Sequence, residues 1–231
     1  METNTYSTGS SVVAKSSQLI KNVYMWMTLA LGITGITALA AAGSYDLQQT
    51  VVNNRIIFWV LMFAELGLVI YITARIMKIS FATATTLFMI YSVLNGLTLS
   101  VIFMMYTKAS IASAFFVTAG TFGAMSLYGY VTKRDLSSWG NILFMALIGL
   151  IIATIVNIFW ANEIFYWIVT YAGVLIFVGL TAYDTQKIKK MLSGQEVNET
   201  TQKLALLGAL SLYLDFINLF LYLLRIFGDR R

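Results

Sequence analysis

An all-α bundle that crosses a bilayer about seven times is the fold this sequence predicts, and two observations carry the prediction. The apolar residues gather into seven runs of about 20, the length a helix needs to cross a hydrocarbon core. Charged residues make up only 11% of the chain, where a soluble domain carries about a quarter, and the basic ones stand at the ends of the apolar runs.

The runs place spans at Val23–Gly43, Ile56–Ala74, Phe81–Tyr106, Ile111–Val131, Asn141–Trp160, Ile164–Tyr183 and Leu204–Phe227. Residues 1–22 form a polar, Ser/Thr-rich N-terminal segment, and residues 23–228 form a single transmembrane bundle. The first run is too long for a signal-peptide core and reads as a retained span. Thr107–Ser110 reads as a tight turn between the third and fourth spans, and Asp184–Lys203 as the longest polar connection. The chain has no proline, so kinks fall to glycine or to neighbouring polar groups. Small residues four apart, Ala38 with Ala42, Ala119 with Gly123, Gly120 with Ala124 and Gly149 with Ala153, are expected where helices pack closely.

With no cysteine and no histidine, disulfides, thiol and imidazole catalysis and soft-metal sites are excluded. No phosphate-binding loop is present, no catalytic residue stands out and no cofactor is implied, so the chain is not expected to be an enzyme. A net charge of +5 suggests nucleic acid, but the placement of the basic residues at helix ends assigns them to membrane orientation instead. With a cytoplasmic N-terminus, ten of the 15 Lys and Arg residues fall on the cytoplasmic side and five, including Arg225, Arg230 and Arg231, on the other.

Ion chemistry is left to carboxylates. In the last span Gly208, Ser211, Asp215, Asn218, Tyr222 and Arg225 follow at steps of three or four and share one helical face. A polar stripe on an apolar rod belongs at the centre of a bundle, because Asp215 facing lipid would cost about 2.5–3.5 kcal/mol. About 11 residues precede Asp215 in its span, which places it roughly 16 Å deep. Asp184 ends the sixth span, on a face with Thr170, Gly173, Phe177 and Thr181. Glu65 lies mid-way along the second span with no charged neighbour within a turn, so it is either protonated or turned to a partner on another helix. Asn95, between Ser92 and Thr98, gives the third span a hydrogen-bonding face.

Two aspartates on neighbouring spans admit three readings: a cation path with a proton-sensitive gate, an intramembrane aspartyl protease, or a regulatory protein that binds partners through its loops. Tyr183-Asp184 resembles half of the presenilin-type protease signature. The second aspartate of that signature follows Gly-x-Gly, whereas Leu212, Tyr213 and Leu214 precede Asp215, and its Pro-Ala-Leu element is impossible without proline.

The segments Gly179–Lys189 (GLTAYDTQKIK), Ala209–Phe220 (ALSLYLDFINLF) and Leu224–Gly228 (LRIFG) resemble the C-terminal signature of the Bax inhibitor-1 family of membrane proteins. The resemblance extends over essentially the whole chain in length and span count and suggests a bacterial member, in the inner (plasma) membrane with the N-terminus cytoplasmic. It implies six helices wrapped around a central C-terminal helix. It implies a pH-sensitive calcium leak, with Ca²⁺ and protons as the species handled and Asp184 and Asp215 as sensor, ion path and Ca²⁺ ligands. Glu65, Arg75, Asn95, Ser211 and Asn218 are the supporting residues, with Arg75 the nearest match to a basic residue at the cytoplasmic end of the second span. The alternative it carries is a non-conducting regulator of a membrane protease or cell-death factor. Two carboxylates within hydrogen-bonding distance at low dielectric cannot both ionise cheaply, so such a pair holds one proton and titrates as a unit. Losing that proton would free two anionic oxygens for a hard divalent cation.

The charge bias makes a testable statement about topology. Single cysteines introduced at Ser7 and Ser193 are expected to resist an impermeant thiol reagent in intact cells and to react after lysis; labelling of either in intact cells would reverse the orientation.

Overall fold

In hydrocarbon a backbone amide has no water to bond, so a chain of this composition satisfies its amides inside helices. The structure, a computed structural model, describes residues 5–47, 54–160 and 162–229. Its helices are α1 (Thr5–Gly43), α2 (Arg55–Arg75), α3 (Phe81–Leu99), the short α4 (Ile102–Met105), α5 (Lys108–Val131), α6 (Ser137–Trp160), α7 (Glu163–Leu192) and α8 (Glu199–Phe227). Seven stretches are long and apolar enough to cross a membrane: Ser17–Gly43, Ile56–Arg75, Phe81–Met105, Lys108–Val131, Ser137–Trp160, Glu163–Leu192 and Glu199–Phe227. This is an all-α, multi-pass membrane protein. Arg230 and Arg231, which enter the charge count, lie outside the described residues.

Polar side chains set several helix starts. Asn54 accepts from the amides of Ile56 and Ile57 to begin α2, and Ser80 and Thr107 do the same for Thr83 and Ser110 at α3 and α5. The α3 start has a second cap from far along the chain: the Phe81 amide donates to Glu199 Oε1 at 3.1 Å, and Lys203 holds the same oxygen at 3.0 Å.

Two boundaries differ from the hydropathy reading. At the first span, Leu19 is fully buried like Val23, so the apolar face of α1 is already present a turn before Val23. The third span breaks between α3 and α4, where Ser100 turns its hydroxyl onto Leu97 O at 2.6 Å and donates its amide to Gly96 O and Leu97 O. The sixth span does not stop at Asp184. It continues to Leu192 because Ile188 and Leu192 are buried four residues apart and extend the apolar period through the lysines. Gly194, at φ +75°, closes it, so the polar connection shrinks from Asp184–Lys203 to residues 193–198.

The chain forms two compact units: one from the residues up to Met105 together with Lys190–Tyr213, the other from Tyr106–Lys189 together with the segment from Leu214 onward. The last helix contributes its first half to the former and its second half to the latter. It is also the most buried span, with 67% of its apolar window covered against 6% for those of α2 and α6, whose Ile56, Phe63, Met145 and Phe159 stand exposed for lipid.

Close helix contacts do not fall at the glycines of the small-residue pairs. A Cβ at Gly120, Gly123 or Gly149 meets nothing within 4 Å. At Gly129 it would strike the backbone carbonyl of Ala182, and at Gly96 it would lie 2.7 Å from Thr34 O. Spacing identifies small residues, but only the facing helix decides which of them is approached. Gly129→Ala is therefore expected to cost about 1–3 kcal/mol through backbone displacement. Gly123→Ala is expected to be neutral or slightly stabilising by helix propensity. Thermal unfolding of the two variants in detergent checks the contrast, and equal melting temperatures would contradict it.

Candidate functional site

In the second unit, the face of α7 predicted from Thr170, Gly173, Phe177, Thr181 and Asp184 is buried down to its carboxylate. Thr170 and Thr181 are fully buried and return their hydroxyls to Tyr166 O and Phe177 O, so they present methyl groups outward. Gly173 leaves room for Tyr222: a Cβ there would lie 2.6 Å from the tyrosine ring, which also stacks on Phe177 at 5.9 Å. That contact fixes the register of α7 against the second half of α8. Asp184 lies 11 residues beyond Gly173 and Asp215 lies seven before Tyr222. In antiparallel helices the four-residue difference separates the two along the axis by ~6 Å, about one helical turn.

Asp215 is 5% exposed, and its Oδ2 is buried without a hydrogen-bond partner. The charge that acts on it is that of Asp184. Asp184 is half-buried and feels the ammonium of Lys187 from the next turn of its own helix, which itself leans toward the Tyr183 ring at 5.8 Å. Among the described residues no hydrogen bond joins the two aspartates.

The rest of the stripe does other work. Asn218 donates to Leu214 O at 2.8 Å and so turns back on its own helix. Ser211 is half-buried and belongs, with the first half of α8, to the first unit. At the far end the Arg225 guanidinium lies 5.0 Å from the centre of the Tyr222 ring and 5.8 Å from that of Tyr166. It borders a cavity of about 680 Å³ lined also by Asn157, Asn162, Glu163 and Trp167.

The first unit holds the third membrane carboxylate. Glu65 is half-buried on α2 and takes two bonds from α3: Thr98 donates to Oε1 at 2.6 Å, and Asn95 Nδ2 lies 3.0 Å from Oε2. Asn95 Oδ1 accepts from the Tyr213 hydroxyl at 2.9 Å, and that hydroxyl meets Thr34 Oγ1 at 2.7 Å. Glu65 thus faces partners on another helix, one of the two alternatives its position posed. Arg75 closes the same helix, exposed and without an ion pair among the described residues.

Among the described residues no group of three acidic side chains converges as a metal ion would require. The sequence profile described as inhibitor of apoptosis-promoting Bax1 matches residues 16–231. The chain belongs to the Bax inhibitor family. It is 57% identical over 211 residues to "Inner membrane protein YbhL" of Escherichia coli K12, covering 90% of each chain. It is also 44% identical to a Borreliella burgdorferi protein, covering 94% of this chain and 96% of that one, and 43% identical to a Rickettsia prowazekii protein, covering 90% and 88%. The segments that carried the Bax inhibitor resemblance lie on α7 and α8, the two helices that bear the aspartates.

Sequence reasoning missed three polar side chains of this family member, two in the second unit and Tyr213 in the first. Lys187 was counted as a loop charge because α7 was ended too early. Tyr213 lies off the polar stripe and looked like one more apolar residue. Gln186, 6% exposed, clamps the turn between α5 and α6: its Nε2 donates to Arg134 O at 2.8 Å and its Oε1 accepts from the Leu136 amide at 2.9 Å. Gln186→Leu leaves both backbone groups unpaired and is expected to cost about 1–3 kcal/mol. Thermal unfolding measures this, and an unchanged melting temperature would remove the clamp from the account.

Proposed function

We propose that this Bax inhibitor family protein passes Ca²⁺ down its gradient across the bacterial inner membrane, with Asp184 and Asp215 acting together as the proton-sensitive gate. The observation that carries the reading is Asp215: a carboxylate deep in a span, 5% exposed, with an oxygen that no donor satisfies and Asp184 as the charge acting on it. A buried carboxylate oxygen left without a donor is too costly for a purely structural residue. Protons and divalent cations are the partners able to relieve it. Two carboxylates fall well short of the six to eight oxygens of a storage site, which suits an ion that keeps part of its water and moves on. The process needs no catalysed reaction and no cofactor. A cytoplasmic N-terminus follows from the lysine and arginine bias, and an inner-membrane location is supported by the name of the Escherichia coli relative.

The test is Ca²⁺ uptake by dye-loaded proteoliposomes containing only this protein, recorded across about pH 5–8, where a coupled carboxylate pair titrates. Asp184→Asn and Asp215→Asn are each expected to remove most of the pH dependence, and the double variant to change little beyond either, because two charges that act on one another titrate as a unit. Wild-type midpoint and amplitude in both single variants would end the paired-sensor reading. No flux above protein-free controls at any pH would end the leak reading and leave the family member as a regulator of a membrane protein partner.

A further inference from the structure

One end of the second unit holds two opposite charges that do not meet. Arg225, in the last turn of α8, and Glu163, in the first turn of α7, both line the cavity of about 680 Å³, and among the described residues neither forms an ion pair. The guanidinium lies against the Tyr222 and Tyr166 rings at 5.0 and 5.8 Å, which position it without using its N–H groups. Asn157, on α6, brings a third unfilled group, because its Oδ1 is buried at the cavity wall without a hydrogen-bond partner. The oxygen of Asn162 is spent, since it accepts from the Phe165 amide at 2.9 Å to start α7.

These charges select among ligands. A simple anion placed on Arg225 would meet Glu163, and a simple cation on Glu163 would meet Arg225, whereas a zwitterion satisfies both. Phosphate matches the planar fork of a guanidinium, and a primary ammonium has N–H groups for both a carboxylate and an amide oxygen. A quaternary ammonium has none and would leave Asn157 Oδ1 unpaired. The setting selects a lipid over a soluble zwitterion. The cavity lies where α6 and α8 end and α7 begins, which is the depth of the headgroups when the apolar spans fill the hydrocarbon. Tyr166 and Trp167 in its wall are interfacial residue types, and Phe159, Trp160, Ile164 and Phe227 at the same helix ends stand exposed for acyl chains. Arg225 also falls on the side that the charge bias leaves poor in basic residues, so membrane orientation does not account for it.

We infer that this cavity binds the headgroup of a phospholipid bearing a primary ammonium, with Arg225 on the phosphate and Glu163 and Asn157 on the ammonium. The site is built before the lipid arrives. The Thr107 amide donates to Asp229 O at 3.3 Å and the Asp229 amide donates to Ser110 Oγ at 3.0 Å, which ties the chain after Arg225 to the start of α5. The inference is independent of the aspartate pair, since Asp184 and Asp215 lie outside the cavity, and it stands whether or not the protein passes an ion.

Native mass spectrometry of the delipidated full chain, titrated with phosphatidylethanolamine, phosphatidylcholine and phosphatidylglycerol of identical acyl chains, measures the preference. Phosphatidylethanolamine is expected to bind about tenfold tighter than the other two, the effect of one hydrogen bond to a charged group. Glu163→Gln is expected to abolish that advantage, Asn157→Leu to reduce it, Arg225→Gln to weaken all three lipids, and Glu163→Lys to move the preference to phosphatidylglycerol. Glu163 is exposed, so its variants test the site even where Arg225→Gln does not fold. Glycerophosphoethanolamine, the same headgroup without chains, is expected not to displace the lipid at equal concentration. Equal affinity for the three lipids, binding unchanged in Glu163→Gln or in Arg225→Gln, or displacement by the soluble headgroup would each overturn the proposal.

Discussion

A carboxyl group carried into hydrocarbon must be met by a proton, a cation or hydrogen-bond donors, because water is no longer there to stabilise its charge. Three side chains in the spans of this protein face that requirement, and they meet it in different ways. Asp184 stays half in contact with the surface and has Lys187 one turn away. Glu65 is bonded by two side chains of a neighbouring helix. Among the described residues Asp215 has neither a cation of its own nor a donor for its buried oxygen. Placing that third residue at mid-span is the most expensive choice in the sequence, and the surrounding arrangement is shaped by it.

The helix contacts of the second unit keep Asp215 dry while holding Asp184 within electrostatic reach. Phe216, next along the chain, packs edge-on against Phe115 and Phe122 at 5.6 and 5.4 Å, which fills the apolar side of the helix. On the other side the missing Cβ of Gly173 admits the Tyr222 ring, and α7 and α8 can approach only in the register that this pair allows. Lys189 anchors the end of α7 to Tyr130 O at 2.6 Å, and Thr181, one turn from Asp184, spends its hydroxyl on its own helix rather than on a carboxylate. A site meant to respond to protons or cations is served by such surroundings, because any fixed donor would satisfy the carboxylate in place of its ligand.

Much of this was legible in the sequence, for reasons that can be stated. Seven spans follow from run length alone, since bilayer thickness leaves one viable length for a helix. Asp215 and Glu65 stood out because an acidic residue among Leu, Phe and Ile has no structural excuse at that depth. The end of α7 was misplaced because hydropathy falls at Asp184 while helix propensity does not: Gln, Lys and Met are good helix formers, and the stop signal was Gly194. The glycine pairs misled because a four-residue spacing is a property of one helix, whereas close approach is a property of two. Tyr213 was invisible for the same reason, since a tyrosine in an apolar helix declares its hydroxyl only when the partner residues Asn95 and Thr34 are in place.

The two polar sites also differ in how freely they can respond. An aspartate with an unbonded oxygen can gain a proton or a cation without first breaking a hydrogen bond. Glu65 is the opposite case, because its two oxygens already accept from Thr98 and Asn95, and Asn95 in turn accepts from the Tyr213 hydroxyl. A change at Glu65 therefore acts on bonds already made to α3 and, through Asn95, to α8. The residues chosen fit these separate demands: threonines whose hydroxyls fold back on their helices beside the aspartates, and a tyrosine, an asparagine and a threonine joined in series beside the glutamate.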